Sequence, residues 1–271
     1  MKKTFLALAL VAGFLASSAH ATIQVDQDYN FTSGTVAGLS AFGPDAPTYS
    51  NHQVILGGDD YLQSTTAIAP AGLNAGLEMV LTLPSFSQDR FFGSLGNRGD
   101  YSSLQLSMAD GNLMARDDNG GGDVNTDLTS FSRVHPGDLV RLAQVWVDNG
   151  NGSATTSLYM NGALLGSNTR NNLASENPWN SPQYVTIGSW FGKGTTANGG
   201  PGPLSVSEVS TFHFASGQFQ ASDLLTVPET STAAVPEPSQ VAASILLIGG
   251  IAGFVIVKRR KEASELEALA V

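Results

Sequence analysis

No cysteine occurs in the 271 residues. Disulfide staples, thiolate nucleophiles and Cys-bound zinc are therefore excluded, and stability has to come from a packed core. Basic residues are scarce too: 13 Lys and Arg stand against 23 Asp and Glu, a formal net charge of −10. Between residues 22 and 235, 7 basic residues face 19 acidic ones. Nucleic acid and anionic lipid are poor partners for such a surface, because both require a basic footprint. Glutamate is thin: Glu78, Glu176, Glu208 and Glu229 are all that precede Glu237. A glycosidase needs two carboxylates set across a sugar, and no strand here carries alternate carboxylates as Glu-x-Asp-x-Glu. His52, His135 and His213 are too far apart for a local metal motif, and no Gly-x-Ser-x-Gly elbow exists. No catalytic residue is assigned. Between the two ends of the chain, no apolar stripe recurs every 3.6 residues, which argues against helices.

What is present begins with two targeting segments. Lys2 and Lys3 precede the apolar run Phe5 to Leu15, and Ala19-His20-Ala21 has small residues at the two positions that a signal peptidase reads. Residues 1–21 read as a secretory signal peptide cut after Ala21. At the other end, Val241 to Val257 is an uncharged run of 17 residues followed at once by Lys258-Arg259-Arg260-Lys261. As a helix it spans about 26 Å, enough for a hydrocarbon core, and the basic cluster holds its end on the cytoplasmic side.

Pro236-Glu237-Pro238, the span, and Arg259 and Arg260 occur in that order over about 25 residues. The arrangement resembles the PEP-CTERM sorting signal of Gram-negative bacteria. The resemblance implies processing near the motif by an exosortase-like enzyme. The inner membrane would then hold the chain only as a single-pass intermediate, before release to the cell surface or extracellular matrix. An ordinary single-pass anchor with a Pro-rich linker is the other reading of the same residues. On either reading residues 22–226 are an exported domain, 227–240 a Pro/Thr/Ser linker, 241–257 a transmembrane helix and 258–271 a cytoplasmic tail.

Within the exported part, short apolar or alternating runs are bounded by Gly, Asn, Asp and Ser, which reads as many strands. Examples are Leu77 to Leu83, Leu139 to Val147 and Leu204 to Phe214. Asp110-Gly111, Asn149-Gly150 and Asn161-Gly162 are turn dipeptides. The spacing predicts an all-β, two-sheet antiparallel jelly-roll sandwich, in which His213 faces away from Phe212 and Phe214.

Several stretches mark a family. They are Leu158-Tyr159-Met160-Asn161-Gly162, Thr186-Ile187-Gly188, Glu208-Val209 to Phe214, Gly57-Gly58-Asp59-Asp60-Tyr61-Leu62 and Asp110-Gly111-Asn112-Leu113. Together they resemble the laminin-G-like, concanavalin A-like domains of secreted proteins. The resemblance spans about residues 26–226 and implies a fold that hosts binding, adhesive and hydrolytic members.

Two groups of residues carry candidate chemistry. Asp117, Asp118, Asn119, Asp123 and Asp127 flank a Gly run that can turn several oxygens toward one point, as Ca²⁺ requires. A solvated turn explains the same residues, and Asp148 to Ser153 is a second loop of similar kind. For glycans, Trp179 between Asn177 and Asn180, with Trp190 and Tyr101, offers rings for stacking and amides for hydroxyls. Packing is the competing role for each ring, and Trp146 reads as core or cleft floor. The function expected is therefore a non-enzymatic, exported binding or structural protein that meets a glycan or matrix. A glycan-active hydrolase on the same fold is the alternative.

Overall fold

The computed structural model describes residues 23–68, 74–96, 104–117, 123–150, 152–171, 182–189 and 203–214, together with Phe219 and Leu224. The chain divides into two units, Met1–Ala233 and Ala234–Val271, and every described residue lies in the first. The signal peptide with Ala19 and Ala21, the Pro236-Glu237-Pro238 motif, the span Val241 to Val257, and Arg259 and Arg260 lie outside the described residues. Among the described residues no helix is long and apolar enough to cross a membrane.

The described residues form strands and two short 3-10 turns. The first strands are β1 (Gln24–Asn30), β2 (Leu39–Phe42), β3 (Thr48–Ser50), β4 (Gln53–Leu56) and β5 (Tyr61–Ser64). Next come β6 (Asn74–Thr82), β7 (Arg90–Gly96), β8 (Leu104–Ala109), β9 (Asn112–Asp117) and β10 (Val124–Asp127). The last are β11 (Leu139–Asp148), β12 (Ser153–Met160), β13 (Ala163–Asn171), β14 (Tyr184–Ile187) and β15 (Leu204–Phe214).

They make two antiparallel sheets. The first runs β13-β12-β11-β6-β15-β4-β3, with β1 also paired to β15; the second runs β10-β9-β8-β7-β14-β5-β2. This is a two-sheet β-sandwich. Strand alternation builds the core between them. Leu77, Met79 and Leu81 of β6 and Leu142 and Trp146 of β11 turn inward, against Leu104, Leu106, Met108, Val185 and Ile187 of the second sheet, and all are buried. Trp146 is therefore core. The sheets approach closely at Gly93, where a Cβ would lie 2.7 Å from the Met79 sulfur.

Turn chemistry fixes the register. Asp110-Gly111 and Asn161-Gly162 form two-residue hairpins with positive φ at both positions. Asn51 and His52 make a third such hairpin between β3 and β4, at φ 51 and 62. No glycine marks it, so the sequence gives no sign of it.

The outer face of the first sheet is partly covered. Phe212 and Phe214 turn outward there, with Ala143, Val145 and Tyr159. Phe219 sits among three rings, 5.4 Å from Tyr159, 6.1 Å from Phe212 and 5.7 Å from Phe214 between centroids. His213 takes the opposite face, as alternation predicts, and its Nδ1 lies 2.7 Å from Asp26 Oδ1.

Candidate functional site: a polar row across the second sheet

Register places one residue from each of six strands in a transverse row: Ser40, Gln63, Thr186, Ser94, Gln105 and Arg116. Their neighbours along the strands, such as Leu62, Val185, Ile187, Leu95, Leu104 and Leu106, fill the inter-sheet core. Alternation therefore turns the row to the outer face. Six strands at the usual spacing make it about 24 Å long.

Outward rows on exposed sheets carry charge and are wet. This one is neither at its centre. Gln63, Thr186, Ser94 and Gln105 are 5%, 2%, 0% and 1% exposed. It opens at its two edges, where Ser40 and Arg116 are half-buried. Arg116 Nε lies 3.5 Å from Asp123 Oδ2 at the β10 edge. The hydroxyls of Ser94 and Thr186, cross-strand neighbours at the middle, are buried and have no hydrogen-bond partner among the described residues. A buried hydroxyl without a partner costs about 1–3 kcal/mol, so native proteins supply it with one, water or ligand included.

Several of the candidate residues belong to segments that connect strands at one end of this sheet. Gly96, Leu104, Asp117, Val124 and Tyr184 lie at one end of the second sheet. The segment holding Tyr101 joins β7 to β8 at that end. The one holding Asp118 and Asn119 joins β9 to β10 there. The one holding Asn177, Trp179 and Asn180 enters β14 there. Those six residues themselves lie outside the described residues. Trp190, also outside them, follows the opposite end of β14.

The acidic set divides as well. Asp123 is opposite Arg116, at the same end as Asp117, whereas Asp127 pairs with Asn112 at the far end of the β9–β10 hairpin. Asp127 is committed to the 3-10 turn Leu128–Ser130: its carboxylate accepts from Thr129 N at 2.8 Å and Thr129 Oγ1 at 2.6 Å. Those bonds hold its pKa below the ordinary value. It does not join Asp123, because a strand separates the two. Among the described residues no group of three or more His, Asp or Glu side chains could hold a metal.

Elsewhere, buried charge is structural. Arg90 Nη2 donates to Gly57 O at 2.9 Å, and its Nη1 donates to Gly58 O, which clips the turn before β5 to β7. Burial lowers its pKa to about 10, against the opposing pull of Asp59 and Asp60. On the outer face of the first sheet Arg141 Nε donates to Glu78 Oε1, both side chains being almost fully buried. Glu208 lies on the same face, one residue pair along β15 from Glu78. Its carboxyl is pushed up by burial and by Asp28, and pulled down by Arg141.

No family model matches the sequence, and no curated protein matches it. Solved structures do. The receptor binding domain of botulinum neurotoxin D is 11% identical, covers 73% of this chain and superposes with a TM-score of 0.50. This chain spans 50% of that domain. Domain 4 of AbnA, an extracellular arabinanase from Geobacillus stearothermophilus solved with arabinotriose, is 15% identical over 74% of this chain and 96% of its own, at 0.47. The CBM40 of the Ruminococcus gnavus IT-sialidase, bound to α2,3 sialyllactose, is 15% identical over 59% and 88%, at 0.41. The likeness to the toxin domain establishes the fold.

The row itself left a faint mark in the sequence. Leu104-Gln105-Leu106 and Val185-Thr186-Ile187 each set an amide or hydroxyl between two apolar residues, and Gln63 and Ser94 each adjoin a leucine, Leu62 and Leu95. A wet strand face would carry Lys or Glu at those positions. Their absence was the available signal.

Proposed function

We propose that the exported domain is a non-enzymatic glycan-binding module, with the row from Ser40 to Arg116 as its polar floor. One observation carries this reading: Ser94 and Thr186 present adjacent, buried hydroxyls that lack partners among the described residues. Amides and hydroxyls flank them, which is the donor and acceptor set that sugar hydroxyls need. Tyr101, Asn177, Trp179 and Asn180 belong to segments attached at one end of the same sheet, and we assign them to the same ligand. Since the centre of the row is buried, a saccharide enters it with a change of conformation.

Hydrolysis is disfavoured by the placement of the carboxylates. The central residues of the row carry none, and Glu78 is buried in an ion pair with Arg141. A glycan array and a reducing-end hydrolysis screen, run on the full chain in mild detergent, test the reading. Binding without release of sugar is expected. Hydrolysis of any array hit would overturn the non-enzymatic part, and an empty array the glycan part.

The Ca²⁺ site is proposed in reduced form, from Asp117, Asp118, Asn119 and Asp123, without Asp127. The route is proposed as the sequence reads it: signal peptidase at Ala21, transient anchoring through Val241 to Val257, and processing near Pro236-Glu237-Pro238. The product is delivered to the surface or matrix.

A further inference from the structure

At the β2 edge the row opens beside an aromatic pair, of which Phe42 is exposed and Tyr61 half-buried. Phe42 and Tyr61 are cross-strand partners two residues along from Ser40 and Gln63, on the same outer face. Their rings stack with centroids 5.0 Å apart and planes within 11°. β2 is the last strand of its sheet, and Phe42 is 38% exposed, among the most exposed large apolar side chains described.

The turns flanking the pair are braced from beneath. The Asp60 carboxylate is buried and accepts from Asp45 N and from Gly57 N, each at 3.1 Å. Gly43, at φ +119, lets the turn after β2 pass so close that a Cβ there would lie 2.7 Å from Asp60 Cα. Arg90 holds the other side of the same turn through the carbonyls of Gly57 and Gly58. On this base stand Asp45, three residues after Phe42, and Asp59, two residues before Tyr61, both exposed.

We propose that Phe42 and Tyr61, with Asp45 and Asp59, form the entry subsite for a neutral sugar ring, a reading that rests on the glycan function proposed above. The apolar C–H face of a pyranose stacks on the open side of the aromatic pair. Its hydroxyls donate to the two carboxylates, charge-assisted bonds stronger than neutral ones. Two exposed carboxylates on a chain of net charge −10 repel uronates and sulfated sugars, so the subsite selects uncharged chains. Both turns are fixed before ligand arrives, so little ordering cost falls on binding. The rest of the chain then runs along the row toward Ser94 and Thr186.

The experiment is titration of the full chain in mild detergent with soluble neutral polysaccharides (a β-glucan, an arabinan, a mannan) and with alginate as the anionic probe. Binding to at least one neutral polysaccharide and not to alginate is expected. Phe42→Ala and Tyr61→Ala should each weaken it about tenfold, Phe42→Trp should keep it, and Phe42→Leu should lose most of it while retaining apolar bulk. Asp45→Asn with Asp59→Asn should weaken neutral binding and relieve the exclusion of alginate. Thermal melts check that each variant stays folded. If the wild type binds and Phe42→Ala, folded, binds equally, the subsite is wrong and the glycan function stands. If the wild type binds no polysaccharide, both fall together.

Discussion

Thr186 and Ser94 test the site at single-atom resolution, because stability and binding should move in opposite directions. Thr186→Val removes a buried hydroxyl that has no partner among the described residues and keeps the shape. The free protein should gain about 1 kcal/mol in a thermal or denaturant melt while glycan affinity falls. A loss of stability would mean that the hydroxyl already has a partner. Arg141 and Glu78 behave differently. Removing one partner of a buried ion pair leaves the other charge uncompensated, at a cost of about 3–5 kcal/mol. Arg141→Met should show that loss in a urea melt, and adding Glu78→Leu should restore part of it. Glu208 sets a pH trend. Its carboxyl is raised above 4.5 in the fold by burial and Asp28. The folded state therefore binds that proton more tightly than the unfolded chain. The stability it contributes is present below the unfolded pKa and is lost as pH rises through the folded one. Glu208→Gln should flatten the fall in melting temperature between pH 4.5 and neutrality; an unchanged profile would refute the assignment.

At the level of elements, hairpins carry the register, and Asn161 shows how. It sits at φ 51, and its Oδ1 accepts from Arg141 N at 2.9 Å. Asn161→Ala should cost about 1–2 kcal/mol through the left-handed backbone alone, and Asn161→Gly much less. The Asp110-Gly111 and Asn161-Gly162 hairpins were legible in the sequence, as were the long strands β6, β11 and β15, because alternation and turn dipeptides are local signals. The edge strands β2 and β3 were not. Phe42 and Tyr49 are exposed there, so no apolar alternation marks them. The polar row was illegible for a related reason: Gln105 looks like a solvated strand residue until register sets it beside Ser94 and Arg116. Asp127 looked like a calcium ligand because sequence distance does not reveal that β10 carries it away from Asp123. Its role as a cap was readable only from Thr129 two residues later.

For the whole molecule, two expectations concern mass and metal. A Ca²⁺ ion held by Asp117, Asp118, Asn119 and Asp123 binds the folded state and should raise the melting temperature relative to chelator, an effect lost in Asp123→Ala. Identical melts with calcium and with chelator would dismiss the site. Mass spectrometry of the protein from its native host should find a chain that begins at Thr22 and ends near Pro236-Glu237-Pro238. An intact Glu262 to Val271 tail on surface-exposed protein would support the simple anchor instead.

The pairing of β1 with β15 has a consequence in time. Tyr29 lies opposite Val209, so the first of the described strands is completed by the last of them. Until β15 arrives, β1 is an open hydrogen-bonding edge, available to any neighbouring chain. Its sequence, Gln24-Val25-Asp26-Gln27-Asp28-Tyr29-Asn30, fits that wait: two carboxylates and three amides leave little to recruit a stranger. Contacts so distant along the chain also make closure slow. Closure of β1 thus waits on residues near the far end of the described strands, so a chain cut short before Leu204 would leave β1 without its partner.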